Sequence, residues 1–397
     1  MTEPVKLGGS SITIKRTYDE INEKIRDGKA VVLTAEEIIP LVQKKGIEKA
    51  AEEVDVITTG TFGPMCSSGV VINLGHSDPP IRIQKAWLND VECYAGLAAV
   101  DIYLGATQSS DTQGMRYGGA HVIEDLLEGK KIKVKAISQG TDCYPRKEIT
   151  TSVSLDTVNQ AVLFNPRNCY QNYDAAINSS DRKLFTYMGV LLPKSGNVSY
   201  STSGQLSPLL NDPKFTTIGI GTRIFLGGTQ GYVVWEGTQH APHVDKNKGE
   251  MQINRGGTLS VMGNLKDMSK NYLRAAIFEG YGVTLIVGIG IPIPILNSEM
   301  MECVAISNEE IYTDIVDYSI SHRDKPSLGR VNYKQLFSGE ISVQGKKVPT
   351  SSLSSYAKAR EIAEKLKEEI SNGSFLLQKP IQKLPGSKEF KPLLEVE

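Results

Sequence analysis

Two cysteines stand in surroundings that suit chemistry better than packing. Cys66 lies in Thr61-Phe62-Gly63-Pro64-Met65-Cys66-Ser67-Ser68-Gly69, and Cys143 in Gly140-Thr141-Asp142-Cys143-Tyr144-Pro145-Arg146-Lys147. A structural thiol usually sits among aliphatic neighbours and behaves as a small hydrophobe. These two fall on turns bent by Gly and Pro, which leave a side chain accessible. Arg146 and Lys147 follow Cys143 closely, and cationic neighbours favour the nucleophilic thiolate. Asp142 would oppose that effect if it pointed inward. Composition leaves a reactive and an incidental thiol open at both positions. Cys169, in Asn165-Pro166-Arg167-Asn168-Cys169-Tyr170, is a third polar-loop thiol open to reaction, whereas Cys93 and Cys303 have apolar neighbours and read as core.

Other chemistries find less support. The pair His240 and His243 resembles a metal-ligand motif that His76 or Cys66 could extend, but Pro242 breaks helical geometry and no HExxH or Cys/His tetrad occurs. No metal site is expected. Gly219-Ile220-Gly221 and Gly227-Gly228 do not complete a dinucleotide fingerprint, and no Walker-type loop is present. Gly118-Gly119 before a helix reads as a plain helix start. No Ser-His-Asp or papain-type motif accompanies the cysteines, so a hydrolase is not favoured.

The elements that must position these residues form a mixed α/β (α+β) pattern. Thr17 with Glu20 is a capping box that opens a helix over Tyr18 to Arg26. Ala30 to Leu33 reads as strand, residues 34–53 as a helix opened by Thr34 and Glu37 and kinked at Pro40, and Val54 to Thr58 as strand. Short β-rich runs follow to about Glu236: 70–74, 81–83, 131–137, 161–164 and 185–192, with one helix at His121 to Leu127. Ser195 to Asp212 reads as a long loop. Near the other end, 258–262, 269–279 and 283–295 read as a second strand-helix-strand unit. Leu353, Tyr356, Ile362, Ala363, Leu366 and Ile370 mark an amphipathic helix that ends at Asn372-Gly373. One globular body over 1–373 is expected, with two subdomains as the alternative, and then a loose tail over 374–397.

With 397 residues, 44 basic and 45 acidic, the chain can bury a large core and carries no basic stripe suited to nucleic acid. The longest apolar run, Gly282 to Leu296, is too short for a bilayer and is interrupted by Pro292 and Pro294. Met1-Thr2-Glu3-Pro4 lacks a signal pattern. Five scattered cysteines without a CxxC pair argue against a disulfide framework. A soluble, cytoplasmic protein is expected.

Several motifs together resemble the homocysteine biosynthesis family of anaerobic prokaryotes, an L-aspartate semialdehyde sulfurtransferase family. They are Gly60 to Gly69, Gly75-His76, Leu104-Gly105-Ala106-Thr107-Gln108, Tyr117-Gly118-Gly119-Ala120-His121 and Gly140 to Arg146. The resemblance covers roughly Tyr18 to Gly373. It implies sulfur addition to an aldehyde, giving homocysteine for methionine synthesis, with Cys143 as persulfide carrier and Cys66 as the second functional thiol. It also implies a ferredoxin-like iron–sulfur protein as external electron donor, with no bound cofactor assigned to this chain. The CBS domain pair of some members is not expected here. Turning R–CHO and sulfide into R–CH2–SH consumes two electrons, and exchange between Cys66 and Cys143 could deliver them if their Cα atoms meet within about 7 Å. Arg146 or Arg116 could bind the substrate carboxylate, and His76 or His121 could relay a proton. A persulfide carrier without aldehyde chemistry and an enzyme for another aldehyde are the rival readings, and a homo-oligomer is left open.

Overall fold

The computed structural model describes residues 14–169, 171–242, 256–323, 325–386, 391 and 393–394. Its architecture is mixed α/β, with helices laid on largely antiparallel sheets, two of which include parallel pairs. The largest sheet runs Leu273–Phe278, Gly282–Gly290, Arg223–Leu226, Thr229–Glu236, Leu259–Asn264, Gln160–Asn168, Gly69–Asn73 and Asp101–Gly105, and Thr61–Pro64 also pairs with Gly282–Gly290. Gly282–Gly290 is buried along almost its whole length. Its apolar run is therefore a central strand, in keeping with its continuous hydrophobicity. The helix Tyr356–Ser371 covers it, capped by Ser355 Oγ accepting from the Lys358 N–H, and buries Ala359, Ile362, Ala363, Leu366 and Ile370 on one stripe.

A second sheet, with its own core around Val198, Ile315, Tyr333 and Val348, runs Ser327–Asn332, Tyr312–Asp317, Ala175–Ile177, Val198–Tyr200, Lys346–Ser352 and Glu340–Val343. A third includes the antiparallel pair Ile132–Ile137 and Glu148–Val153. Burial alternates along the first of these strands, Ile132, Val134 and Ala136 facing inward, as the period of two requires.

The expected parallel start is present, since Val32–Thr34 pairs in parallel with Val56–Thr58. The helix expected over 34–53 is two helices, Ile38–Lys45 and Ile47–Glu53. Gly46, at φ 80°, makes the break. Pro40 sits in the first turn, where a missing N–H costs nothing. Thr34 and Glu37 bond reciprocally, the Thr34 N–H donating to Glu37 Oε2 at 2.8 Å, but they close the turn before the helix, whose N-cap is Glu37 itself, and do not cap it.

Residues 269–279 contain strand rather than helix. Leu273–Phe278 is hairpinned onto Gly282–Gly290 over six register pairs, and pairing outweighs the helix propensity of its alanines. The second strand-helix-strand unit is thus an antiparallel hairpin, with Tyr281 at its tip. Ile81 and Ile83 are buried but belong to no strand. The expected loop 195–212 holds Val198–Tyr200, a 3-10 turn at Gly204–Leu206 and the short helix Pro208–Asn211. The chain beyond 373 is packed rather than loose as far as Leu384: Phe375 and Leu377 are buried, and Gln382–Lys383 pairs with Gly219–Ile220.

Candidate active site

Cys66 occupies the tight turn between Thr61–Pro64 and Gly69–Asn73. The Ser68 N–H and Oγ both donate to the Met65 carbonyl, at 3.0 and 2.8 Å. Buried Asn165 ties this turn to the end of Gln160–Asn168. Its Nδ2 donates to Ser68 Oγ at 2.7 Å, and its Oδ1 accepts from the Arg167 N–H at 2.8 Å. Ser67 Oγ lies 2.9 Å from the Arg167 carbonyl. The Thr284 hydroxyl donates to Cys66 Sγ at 3.1 Å.

Because Asn165 holds both serines, Asn165→Ala is expected to destabilise the fold by about 1–3 kcal/mol and to slow turnover about tenfold or more by loosening the thiol's position. Thermal melting, turnover and the alkylation rate of Cys66 check this. Unchanged alkylation and turnover would mean that the turn holds without Asn165.

Cys66 opens into a cavity of about 610 Å³ between the first two sheets. Beside the thiol stands Tyr281, whose phenol is pushed up by burial and then by the Cys66 charge, so it keeps its proton and can donate. Tyr187 packs edge-on against Tyr281, Tyr173 and Tyr318, with ring centroids 5.8–6.2 Å apart. This aromatic bridge joins the Cys66 wall to Asp174 and Asp314 on the second sheet's side. Burial, and then Asp314, raise the Asp174 carboxyl to about 7. Arg167 completes the lining. Its Nη1 donates to Gln239 Oε1 at 2.5 Å, while its buried Nε has no partner among the described residues. Lys325 Nζ, also on the wall, is occupied by the Ile320 and His322 carbonyls.

Cys143 sits elsewhere. It is exposed on the connection between Ile132–Ile137 and Glu148–Val153, in a turn closed by Thr141 and Tyr144, whose backbones bond both ways at 2.9 and 3.1 Å. His76 stacks on Tyr144 at 6.3 Å. Arg146 donates from Nε to the Pro79 carbonyl at 2.9 Å and from Nη2 to Asp78 at 2.5 Å. Cys143, His76 and Arg146 therefore come together just past the Asn73 end of Gly69–Asn73, whereas Cys66 lies at its Gly69 end. That strand alone spans about 13 Å at about 3.3 Å per residue. Both thiols are free, and Cys143 is not among the residues lining the cavity that Cys66 opens into.

Arg146 is committed to backbone carbonyls. Arg116 is exposed on Gly114–Gly118, away from the cavity wall. His121 serves the start of Gly119–Leu127, its Nδ1 accepting from the Gly118 N–H at 3.2 Å, and burial pulls its pKa down.

Cys169 is buried, which pushes its thiol up to about 12, so the reactive reading suggested by its polar neighbours gives way to a protonated thiol. Cys93, likewise pushed up to about 12, and half-buried Cys303, at about 11, are also held protonated by burial. His240 is buried against the Thr258 and Pro385 backbones, and its expected partner His243 lies outside the described residues. Among the described residues no group of three or more His, Cys, Asp or Glu is arranged to hold a metal ion, and no helix is long and apolar enough to cross a membrane.

The pattern that defines the family described as homocysteine biosynthesis enzyme, sulfur-incorporation, matches residues 30–377. The chain belongs to this family. It is similar to an L-aspartate semialdehyde sulfurtransferase of Methanosarcina acetivorans, 56% identical over 97% of this chain and 75% of the relative. A protein of the same name from Methanocaldococcus jannaschii is 52% identical over 96% of this chain and 75% of its own length. A protein described only as uncharacterized, from Methanothermobacter thermautotrophicus, is 28% identical over 83% of this chain and 73% of its own. No solved structure matches the chain. A sulfur-incorporating family with a thiol-lined cavity fits the geometry above.

Reading from the sequence missed Arg167, Asp174, Asp314, Tyr187 and Tyr281. The one available signal was the polar run around Cys169, which points to the segment carrying Arg167.

Proposed function

We propose that this chain converts L-aspartate semialdehyde into L-homocysteine, a precursor of methionine, with sulfur taken up at Cys143 and carbon chemistry done beside Cys66. The observation that carries this reading is the division of the thiols: Cys66 lines the cavity and Cys143 is exposed outside it. Exposure suits a thiol that must meet a sulfur donor, and a polar cavity suits a small aldehyde.

In this scheme a sulfane-sulfur donor loads Cys143 as the persulfide. Two electrons and two protons cleave its S–S bond, releasing hydrogen sulfide and restoring the thiol. Hydrogen sulfide adds to the aldehyde carbon in the cavity, and water leaves to give a thioaldehyde. The Cys66 thiolate then attacks the thiocarbonyl sulfur, so an S–S bond forms and the π pair moves to carbon, which takes a proton. A second pair of electrons with two protons cleaves this mixed disulfide into homocysteine and the Cys66 thiol. The electrons come from an external iron–sulfur protein. Diffusible hydrogen sulfide removes any need for the thiols to touch. Thr284 holds the Cys66 sulfur in place through its hydroxyl, and the proton retained by Tyr281 serves the departing water.

The test is anaerobic incubation with aspartate semialdehyde, polysulfide and a reduced ferredoxin. Wild type is expected to make homocysteine. With reductant withheld, mass spectrometry should find sulfane sulfur on Cys143 in wild type and in Cys66→Ala but not in Cys143→Ala. With sulfide supplied and reductant still withheld, a homocysteine-sized adduct should accumulate on Cys66. No product from wild type, with Cys143 still loaded, would favour a sulfur carrier without aldehyde chemistry.

A further inference from the structure

We propose that the cavity reads its substrate as an α-amino acid, the Arg167 guanidinium taking the α-carboxylate and the Asp174–Asp314 pair the α-ammonium, with the aldehyde end directed to Cys66. This rests on the reading above and names the groups that would select the substrate.

Arg167 is joined to the reactive turn through one hydrogen bond, Ser67 Oγ to its own carbonyl at 2.9 Å. Its Nη1 is held by Gln239, which orients the guanidinium on the cavity wall. A guanidinium on a half-buried wall matches a carboxylate in charge and in hydrogen-bonding geometry. Lys325, whose ammonium already satisfies two carbonyls, is a poorer candidate. Arg323 lines the wall but is exposed.

Asp174 faces the cavity and makes no hydrogen bond or ion pair with any described residue. Asp314, on the neighbouring strand Tyr312–Asp317, accepts from Ser327 Oγ at 3.0 Å. Two carboxyls sharing a half-buried wall repel one another and favour a bound cation. The high Asp174 pKa, about 7, is what such a wall produces when no cation is present. Other charged or titratable groups around Asp174 include Arg323, Lys325, Tyr173 and Tyr187 on the cavity wall, Arg330 opposite Asp314 on the paired strand, and the phenols of Tyr318 and Tyr333, both held protonated by burial. An incoming ammonium would draw Asp174 into its carboxylate form.

The test compares L-aspartate semialdehyde with succinate semialdehyde, which lacks the amine, and with 3-aminopropanal, which lacks the carboxylate. Asp174→Asn is expected to raise KM for L-aspartate semialdehyde about 10- to 100-fold, with kcat changed far less. It should leave succinate semialdehyde unaffected, so the preference for the amino substrate collapses. The acid limb of kcat/KM near pH 7, present in wild type because Asp174 must ionise to hold the ammonium, should vanish. Arg167→Lys, which keeps charge but not the fork, is expected to collapse the preference over 3-aminopropanal.

Calorimetry gives a readout independent of turnover. L-homocysteine should bind wild type about 10- to 100-fold more tightly than Asp174→Asn, while 4-sulfanylbutanoate should not distinguish them. Folded variants that keep wild-type substrate preferences and wild-type product affinity would overturn the proposal. A wild type that binds homocysteine through Asp174 yet forms none would leave this inference standing and overturn the proposed reaction.

Discussion

A Cys66→Ser enzyme is expected to form homocysteine at least about a thousandfold more slowly than wild type, because the proposed mechanism asks this atom to form an S–S bond that oxygen cannot replace. The fold should survive. Cys66 is half-buried, serine is close in volume, and the Thr284 hydroxyl that donates to the sulfur at 3.1 Å can donate to an oxygen instead. Loss of activity with an unchanged melting temperature would therefore be chemical. Cys93→Ala is a suitable control, since burial holds that thiol protonated, pushed up to about 12, and it belongs to no described part of the site. Anaerobic turnover of the two variants makes the comparison. A Cys66→Ser enzyme within about tenfold of wild type would remove Cys66 from the covalent chemistry.

The second large effect is on the fold. Gly60→Ala should destabilise the protein by about 3 kcal/mol or more, at the upper end of what overpacking costs. A Cβ at this position would stand 2.1 Å from the Ala359 carbonyl oxygen and 3.1 Å from the Ala363 nitrogen. Those atoms are backbone of the helix Tyr356–Ser371 and cannot swing aside as a side chain would. Gly60 also leads directly into Thr61–Pro64, and its N–H donates to the Leu206 carbonyl at 2.9 Å. Moving the helix off this strand would carry the Cys66 turn with it. Urea denaturation of the variant measures the loss, and a change below about 1 kcal/mol would mean that the helix shifts freely.

The Cys66 turn could be read from its own residues because glycine, proline and two serines leave few alternatives to a tight bend. The helix Tyr356–Ser371 was equally legible, since its apolar residues recur at three- and four-residue intervals. The hairpin that brings Tyr281 to the cavity was not. Leu273-Arg274-Ala275-Ala276 suits a helix locally, and only the Gly282–Gly290 partner makes it a strand. Arg146 looked like a free cation because the carbonyls it holds, at Asp78 and Pro79, are far away in sequence. Asp174 and Asp314 carry no local signal at all. They meet because Ala175–Ile177 pairs in parallel with Tyr312–Asp317, Ala175 opposite Ile315, a long-range choice that neighbouring residues do not announce.

The placement of the two thiols at opposite ends of Gly69–Asn73 has a kinetic consequence. If Cys143 takes up sulfur as proposed, a donor docking at this exposed thiol would not compete for the cavity that Cys66 lines, so neither substrate would have to leave before the other arrives. Loading of Cys143 should proceed at the same rate whether the cavity is empty or filled with a dead-end analogue. Saturating aldehyde should then produce no substrate inhibition against the donor. Enzymes that run two half-reactions through one shared pocket lack this freedom, and here a single strand's length of protein provides it.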